Sequence, residues 1–212
     1  MLASRTIAAA AAVTAAALYA GTGTAVAATA HSNGKANRLS VAAAAASRFD
    51  DGSFETPLAP AGSFQTYAAA QSIGPWRVTT GSVDLIGAGY WQAAEGDQSV
   101  DLNGTSPGAV AQTFTTTPGT KYTVTYSLAG NPGTPPVVKT GKVLVDGQDF
   151  QDFSFDITGK SSTNMGYVTR QLTFVARNPT TTLTFASTTA NSARGPVIDD
   201  VLVQPCPPCP SC

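Results

Sequence analysis

The chain has 212 residues, a net charge of −1 and only 12% charged residues, about half the usual ~25%. Its 29 Thr, 20 Gly and 14 Pro describe a turn-rich β protein; a coiled coil, a helical bundle and a charge-driven disordered chain are excluded. From Phe49 onward eight bases stand against thirteen acids, a net charge of −5. The clustered Lys and Arg that phosphate contacts require are missing, which excludes nucleic acid as a partner.

The N-terminus reads as a processing signal. Arg5 supplies a short positive region, an apolar stretch runs over 7–20, and Ala25-Val26-Ala27 and Ala28-Thr29-Ala30 both fit the small-x-small cleavage pattern. The apolar run is shorter than the ~20 residues a membrane-spanning helix needs, and no later segment could span. Residues 1–30 are therefore expected to be a signal peptide, 31–46 an Ala-rich tether and 47–204 one folded domain of an exported protein. The only histidine, His31, falls in the tether. Without an imidazole the domain has no Ser-His-Asp or Cys-His chemistry and no His-based zinc site.

Within the domain, alternation of period two recurs. Tyr122, Val124, Tyr126 and Leu128 share one strand face. Phe153, Phe155 and Ile157 share another, as do Val168, Leu172 and Phe174, Leu183 and Phe185, and Val197, Val201 and Val203. Shorter strands are expected at 76–79, 83–86, 99–102, 110–114 and 142–145. Thr117-Pro118-Gly119-Thr120 and Asp146-Gly147 are turn signals. About ten short strands predict an all-β, two-sheet antiparallel sandwich with a sizeable core.

The tail, 205–212, holds all three cysteines: Cys206, Cys209 and Cys212. Its Cys-x-x-Cys spacing is proline-rich and sits in no βαβ pattern. An odd number leaves at least one thiol unpaired within a monomer. A plain flexible tail and disulfide cross-linking to a partner are the two leading readings, with metal binding a third.

Several segments carry a resemblance when taken in order. They are Asp51-Gly52-Ser53-Phe54-Glu55, Gly81-Ser82-Val83-Asp84, Tyr90-Trp91-Gln92-Ala93-Ala94-Glu95-Gly96 and Gln98-Ser99-Val100-Asp101-Leu102-Asn103-Gly104. Leu128-Ala129-Gly130-Asn131-Pro132, Asn164-Met165-Gly166-Tyr167 and Gly195-Pro196-Val197-Ile198-Asp199-Asp200-Val201 complete the set. Over 47–204 the chain resembles the bacterial choice-of-anchor C proteins. These are similar to a plant cell-wall family of long-unassigned function and to galactose-binding-like carbohydrate-binding modules. Asp51 stands where that family usually has Asn. The resemblance implies a galactose-binding-like jelly roll, an extracellular location possibly at the cell wall, and polysaccharide or cell-wall glycan as ligand.

Aromatic rings match the flat C–H faces of sugars, which makes Tyr90, Trp91, Tyr67 and Tyr167 the candidate ligand-binding residues. Adjacent strand residues point to opposite faces, so Tyr90 and Trp91 are not both expected at the surface, and Trp91 reads equally as a core plug. Glu95 and Asp97, two apart in a turn, make a poor hydrolytic pair. In related jelly rolls the first and last strands meet at a structural calcium. Glu55 and Ser53 with Asp199 or Asp200 are the matching candidates here, since calcium takes six to eight oxygens; turn and strand-end capping is the alternative.

The function expected is a secreted, non-catalytic carbohydrate-binding or cell-wall-associated module. The alternative is an adhesion domain that binds protein, with a glycoside hydrolase a distant third. Mass spectrometry of the exported protein is expected to find a new N-terminus between about Ala27 and Ala30. A retained Met1 would overturn the export reading.

Overall fold

The computed structural model describes residues 49–133 and 135–206. The expected leader and tether, and Cys209 and Cys212, lie outside the described residues. Twelve strands follow in chain order: β1 (Phe64–Ala68), β2 (Ser72–Ile73), β3 (Trp76–Thr80), β4 (Ser82–Ile86), β5 (Ser99–Asp101), β6 (Ala109–Thr115), β7 (Lys121–Gly130), β8 (Val138–Val145), β9 (Gln148–Asp156), β10 (Val168–Val175), β11 (Thr180–Ser187) and β12 (Pro196–Pro205). One sheet has the order β1-β4-β5-β12-β7-β10, the other β2-β3-β6-β11-β8-β9. Every pairing is antiparallel, and among the described residues there is no helix. The expected sandwich is therefore what forms, and all ten expected strands are present. β1 and β2, which periodicity did not mark, complete the two sheets at one edge.

The inner faces meet around Trp76, which is fully buried. Phe49 packs edge-on against it at 5.5 Å, Phe54 at 5.0 Å and Phe185 at 6.1 Å. Its indole N–H donates to the Asp51 carbonyl at 2.9 Å, giving the buried polar edge of the ring a partner. The opening segment is thereby fastened to the core. Asp51 sits at φ 49°, a left-handed position that Asp tolerates better than most residues. Its carboxylate accepts from the N–H groups of Glu55 and Thr56 at 2.8 and 3.2 Å. Gly52 lies flat on β12, where a Cβ would run into the Val201 carbonyl. The Val201 N–H donates back to the Gly52 carbonyl at 2.9 Å. A register shift between Asp199 and Leu202 opens β12 to this contact.

At β4 and β5 the first sheet is covered on both faces. Every residue of β4 and β5 is buried, although only alternate ones reach the space between the sheets. The second cover is the irregular segment 87–98, joined to the loop before β10 by a Gln92 N–H to Ser162 carbonyl bond of 2.8 Å. Two carboxylates hold it down. Asp199 Oδ2 accepts from the N–H groups of Ala94 and Glu95 at 2.7 and 3.1 Å. Glu55 Oε1 accepts from those of Asp97 and Gln98, both at 2.9 Å. Gln98 completes the fastening: its amide donates to the carbonyls of Phe54 and Pro57 and accepts from the Ala59 N–H.

Burial raises the carboxyls of Asp199 and Asp101 to about 7, against the opposing pull of their N–H donors. An unfolded Asp titrates near ~3.9. Between about pH 4 and 7 the folded protein therefore holds protons that the unfolded chain has released, so stability falls as pH rises through this window. Thermal unfolding is expected at a higher temperature at pH 5 than at pH 8, and Asp199→Asn should reduce the difference, with Asp101 supplying what remains. A melting temperature that rises steadily from pH 5 to pH 8 would contradict this.

Candidate functional site

Over the outer face of the first sheet, beside segment 87–98, lies a cavity of about 260 Å³. Its floor comes from β1 and β4: Phe64, Thr66, Asp84 and Ile86. Thr66 and Asp84 are cross-strand partners, and the Thr66 hydroxyl donates to Asp84 Oδ1 at 2.6 Å. Asp84 Oδ2 has no hydrogen-bond partner among the described residues. Burial raises the Asp84 carboxyl above its ordinary value, and the Thr66 bond opposes that shift. Gly104 and Thr105 follow β5, Asn131 directly follows β7, and Ala193 and Arg194 precede β12; these close the remaining sides.

One wall is aromatic. Phe64 and Tyr90 are about 40% exposed and meet edge to face, with ring centroids 5.6 Å apart. Tyr90 in turn leans on Trp91 at 5.3 Å. Trp91 is buried, and its indole N–H donates to Ser99 Oγ at 2.9 Å. The inner ring anchors the segment, and the outer two face the cavity.

Of the four aromatic residues expected at a ligand surface, Tyr90 alone lines this cavity. Trp91 is the plug that its position next to Tyr90 allowed. Tyr67 is buried because β1 turns it toward the core while Phe64 and Thr66 take the other face. Tyr167 is partly buried against the core, and burial pushes its phenol up. The sequence reading missed Phe64, Thr66, Asp84, Asn131, Thr105 and Arg194. Asp84 and Asn131 stand inside two of the segments that carried the family resemblance, which was the available signal. Their convergence comes from three separate connections and one sheet face, and no local pattern records it.

Glu55 and Asp199 do come together on one segment, as carboxylates facing backbone N–H groups. Glu55 Oε1 and Asp199 Oδ2 each accept two such bonds, and Asp199 Oδ1 accepts a third from the Asp200 N–H. Asp200 is exposed at φ 48° on the β12 bulge. A calcium ion asks for six to eight converging oxygens. In this set, with Ser53, three oxygens (Glu55 Oε1 and both of Asp199) already accept N–H bonds, which leaves fewer for an ion. Among the described residues no group of three or more His, Cys, Asp or Glu side chains could hold a metal. At the tail, the Cys206 thiol is partly buried, 3.1 Å from Thr123 Oγ1.

The chain is 33% identical over 170 residues to halomucin of Haloquadratum walsbyi, covering 77% of this chain. It spans only 2% of the length of that curated relative. Among solved structures, it is similar to a family 35 carbohydrate binding module from Clostridium thermocellum (11% identity, TM-score 0.43, 66% of this chain and 97% of that one). The CBM22-1 xylan-binding domain from Paenibacillus barcinonensis is another (15% identity, TM-score 0.45, 69% and 97%). A family model matches residues 47–204, and the chain belongs to that family, described as "Protein of unknown function (DUF642)".

Proposed function

We propose that the protein is an exported, non-catalytic module that binds polysaccharide in the cavity between Tyr90 and Asn131. The observation that carries this reading is the pairing of two kinds of wall. Phe64 and Tyr90 offer aromatic area to the C–H face of a sugar ring. Asp84, Thr66, Thr105 and Asn131 offer acceptors and donors to its hydroxyls. An apolar surface with a few converging polar groups is the usual make-up of a small-ligand site. At about 260 Å³ the cavity falls just below the ~300–1,000 Å³ range of such pockets, which suits one sugar residue of a longer chain.

The carboxylates support binding without hydrolysis. Asp84 and Asp101 are cross-strand partners, and glycoside hydrolysis needs two carboxyls that both reach the substrate. Asp101 is fully buried with both oxygens engaged. Only Asp84 faces the cavity. Anchoring of the choice-of-anchor kind at a cell wall, and cross-linking through Cys206, Cys209 or Cys212, belong to the same proposal.

Affinity electrophoresis and calorimetry against galactan, xylan, mannan and β-glucan test it. Wild type is expected to bind at least one of them. Tyr90→Ala and Asp84→Asn should each weaken binding about tenfold, ~1.4 kcal/mol, with little change in melting temperature. Trp91→Ala should instead lower the melting temperature, since it empties a buried site. Full binding by both Tyr90→Ala and Asp84→Asn would move the site elsewhere. Calcium at Glu55, Ser53, Asp199 and Asp200 is decided separately by chelation. Loop capping predicts an unchanged melting curve, whereas a fall of several degrees would reinstate the ion.

A further inference from the structure

Resting on the glycan-binding reading, we infer that Asp101 is a positioning residue for this cavity: it sets the side-chain amide of Asn131 and the chain at Arg194, and its proton state governs affinity. Asp101 Oδ2 accepts from Asn131 Nδ2 at 2.7 Å. Asp101 Oδ1 accepts from the N–H groups of Asn103 and Gly195, each at 2.9 Å. Asn131 lines the cavity, and Gly195 directly follows the lining residues Ala193 and Arg194. One buried carboxylate thus stands behind two walls of the site without entering it.

The amide of Asn131 is held in one sense. Its Nδ2 donates to Asp101, and its Oδ1 accepts from the Gly133 N–H at 3.1 Å. The second N–H of Nδ2 is what remains for a ligand hydroxyl. A proton on Asp101 Oδ2 would set one donor against another at 2.7 Å. The amide must then turn over, putting its carbonyl toward Asp101 and losing the Gly133 bond. The donor offered to the ligand goes with it.

Charges face Asp101 from each element packed around it. Asp84 on β4 repels the ionised form of Asp101. Lys139 on β8 is fully buried, attracts it, and donates to the Arg194 carbonyl at 3.0 Å. Arg194 lies on the wall itself, and Tyr167, before β10, feels the charge of Asp101. Burial prevails and raises the Asp101 carboxyl to about 7. Above that pH the carboxylate holds Asn131 in the binding sense, and below it the hold is released.

The test uses the full exported chain and the strongest binder among galactan, xylan, mannan and β-glucan. Wild-type affinity is expected to rise about tenfold from pH 5.5 to 8.5, the order of one charge-assisted hydrogen bond. Asn131→Ala should bind more weakly with no such rise, while Asp84→Asn should bind more weakly and keep it. In the free protein, the Asn131 side-chain amide resonances should titrate near pH 7 and cease to do so in Asp101→Asn. Binding that is flat with pH in wild type, or a rise that survives in Asn131→Ala, overturns the inference and leaves the glycan reading standing. Binding to none of the four polysaccharides overturns both.

Discussion

The structure turns on the need to pair backbone amides that no strand can pair. An irregular segment lies over β4 and β5 of the first sheet, and irregular segments normally leave their N–H groups to water. Segment 87–98 keeps an exposed outer side, yet four of its N–H groups go to carboxylates of the fold instead. Asp199 supplies one oxygen to the amides of Ala94 and Glu95, and Glu55 supplies one to those of Asp97 and Gln98. Each carboxylate meets two amides, which offsets part of the cost of burying it. With the segment fixed, Trp91 seats on Ser99 and Tyr90 is carried to the cavity rim.

The same constraint explains which parts of the molecule were legible in the sequence. Strands facing one core announce themselves by alternation, so β7, β9 and β11 could be read directly. β4 and β5 are buried on both faces, and there the alternation of polarity means something else. Val83, Leu85 and Val100 face the core, while on the other face Asp84 meets the cavity, Ser99 meets Trp91 of the covering segment and Asp101 meets Asn131 and Gly195. A polar residue in such a strand reads as solvent-facing when it is in fact an anchor or a cavity floor. β1 escaped notice because its single core residue, Tyr67, leaves no period to detect.

The opening segment and β12 show how far the ends of the domain depend on one another. Trp76 is the largest fully buried side chain, and its N–H reaches the Asp51 carbonyl. Asp51 caps Glu55, Glu55 holds segment 87–98, and Gly52 rests on Val201. The pairing of Glu55 with Asp199 was legible as a meeting of chain ends. Its chemistry was not, since a carboxylate that binds amides and one that binds an ion have the same letters in sequence.

Asp84 and Asp101 make the final contrast, for they are the same residue type in one register pair. Asp84 takes one hydroxyl bond from Thr66 and keeps an oxygen for the cavity. Asp101 takes three N–H bonds and keeps none. The first can meet a ligand and the second can only shape what the ligand meets. Ser99 beneath Trp91, Asp199 beneath Ala94 and Asp101 beneath Asn131 are all of the second kind. They fix the walls before any ligand arrives, so little side-chain freedom is left to lose on binding. A sugar gives up strong hydration when it enters a protein site, and its polar contacts return little net energy. A cavity whose donors and acceptors are already held in place is the arrangement in which those contacts still add up to affinity.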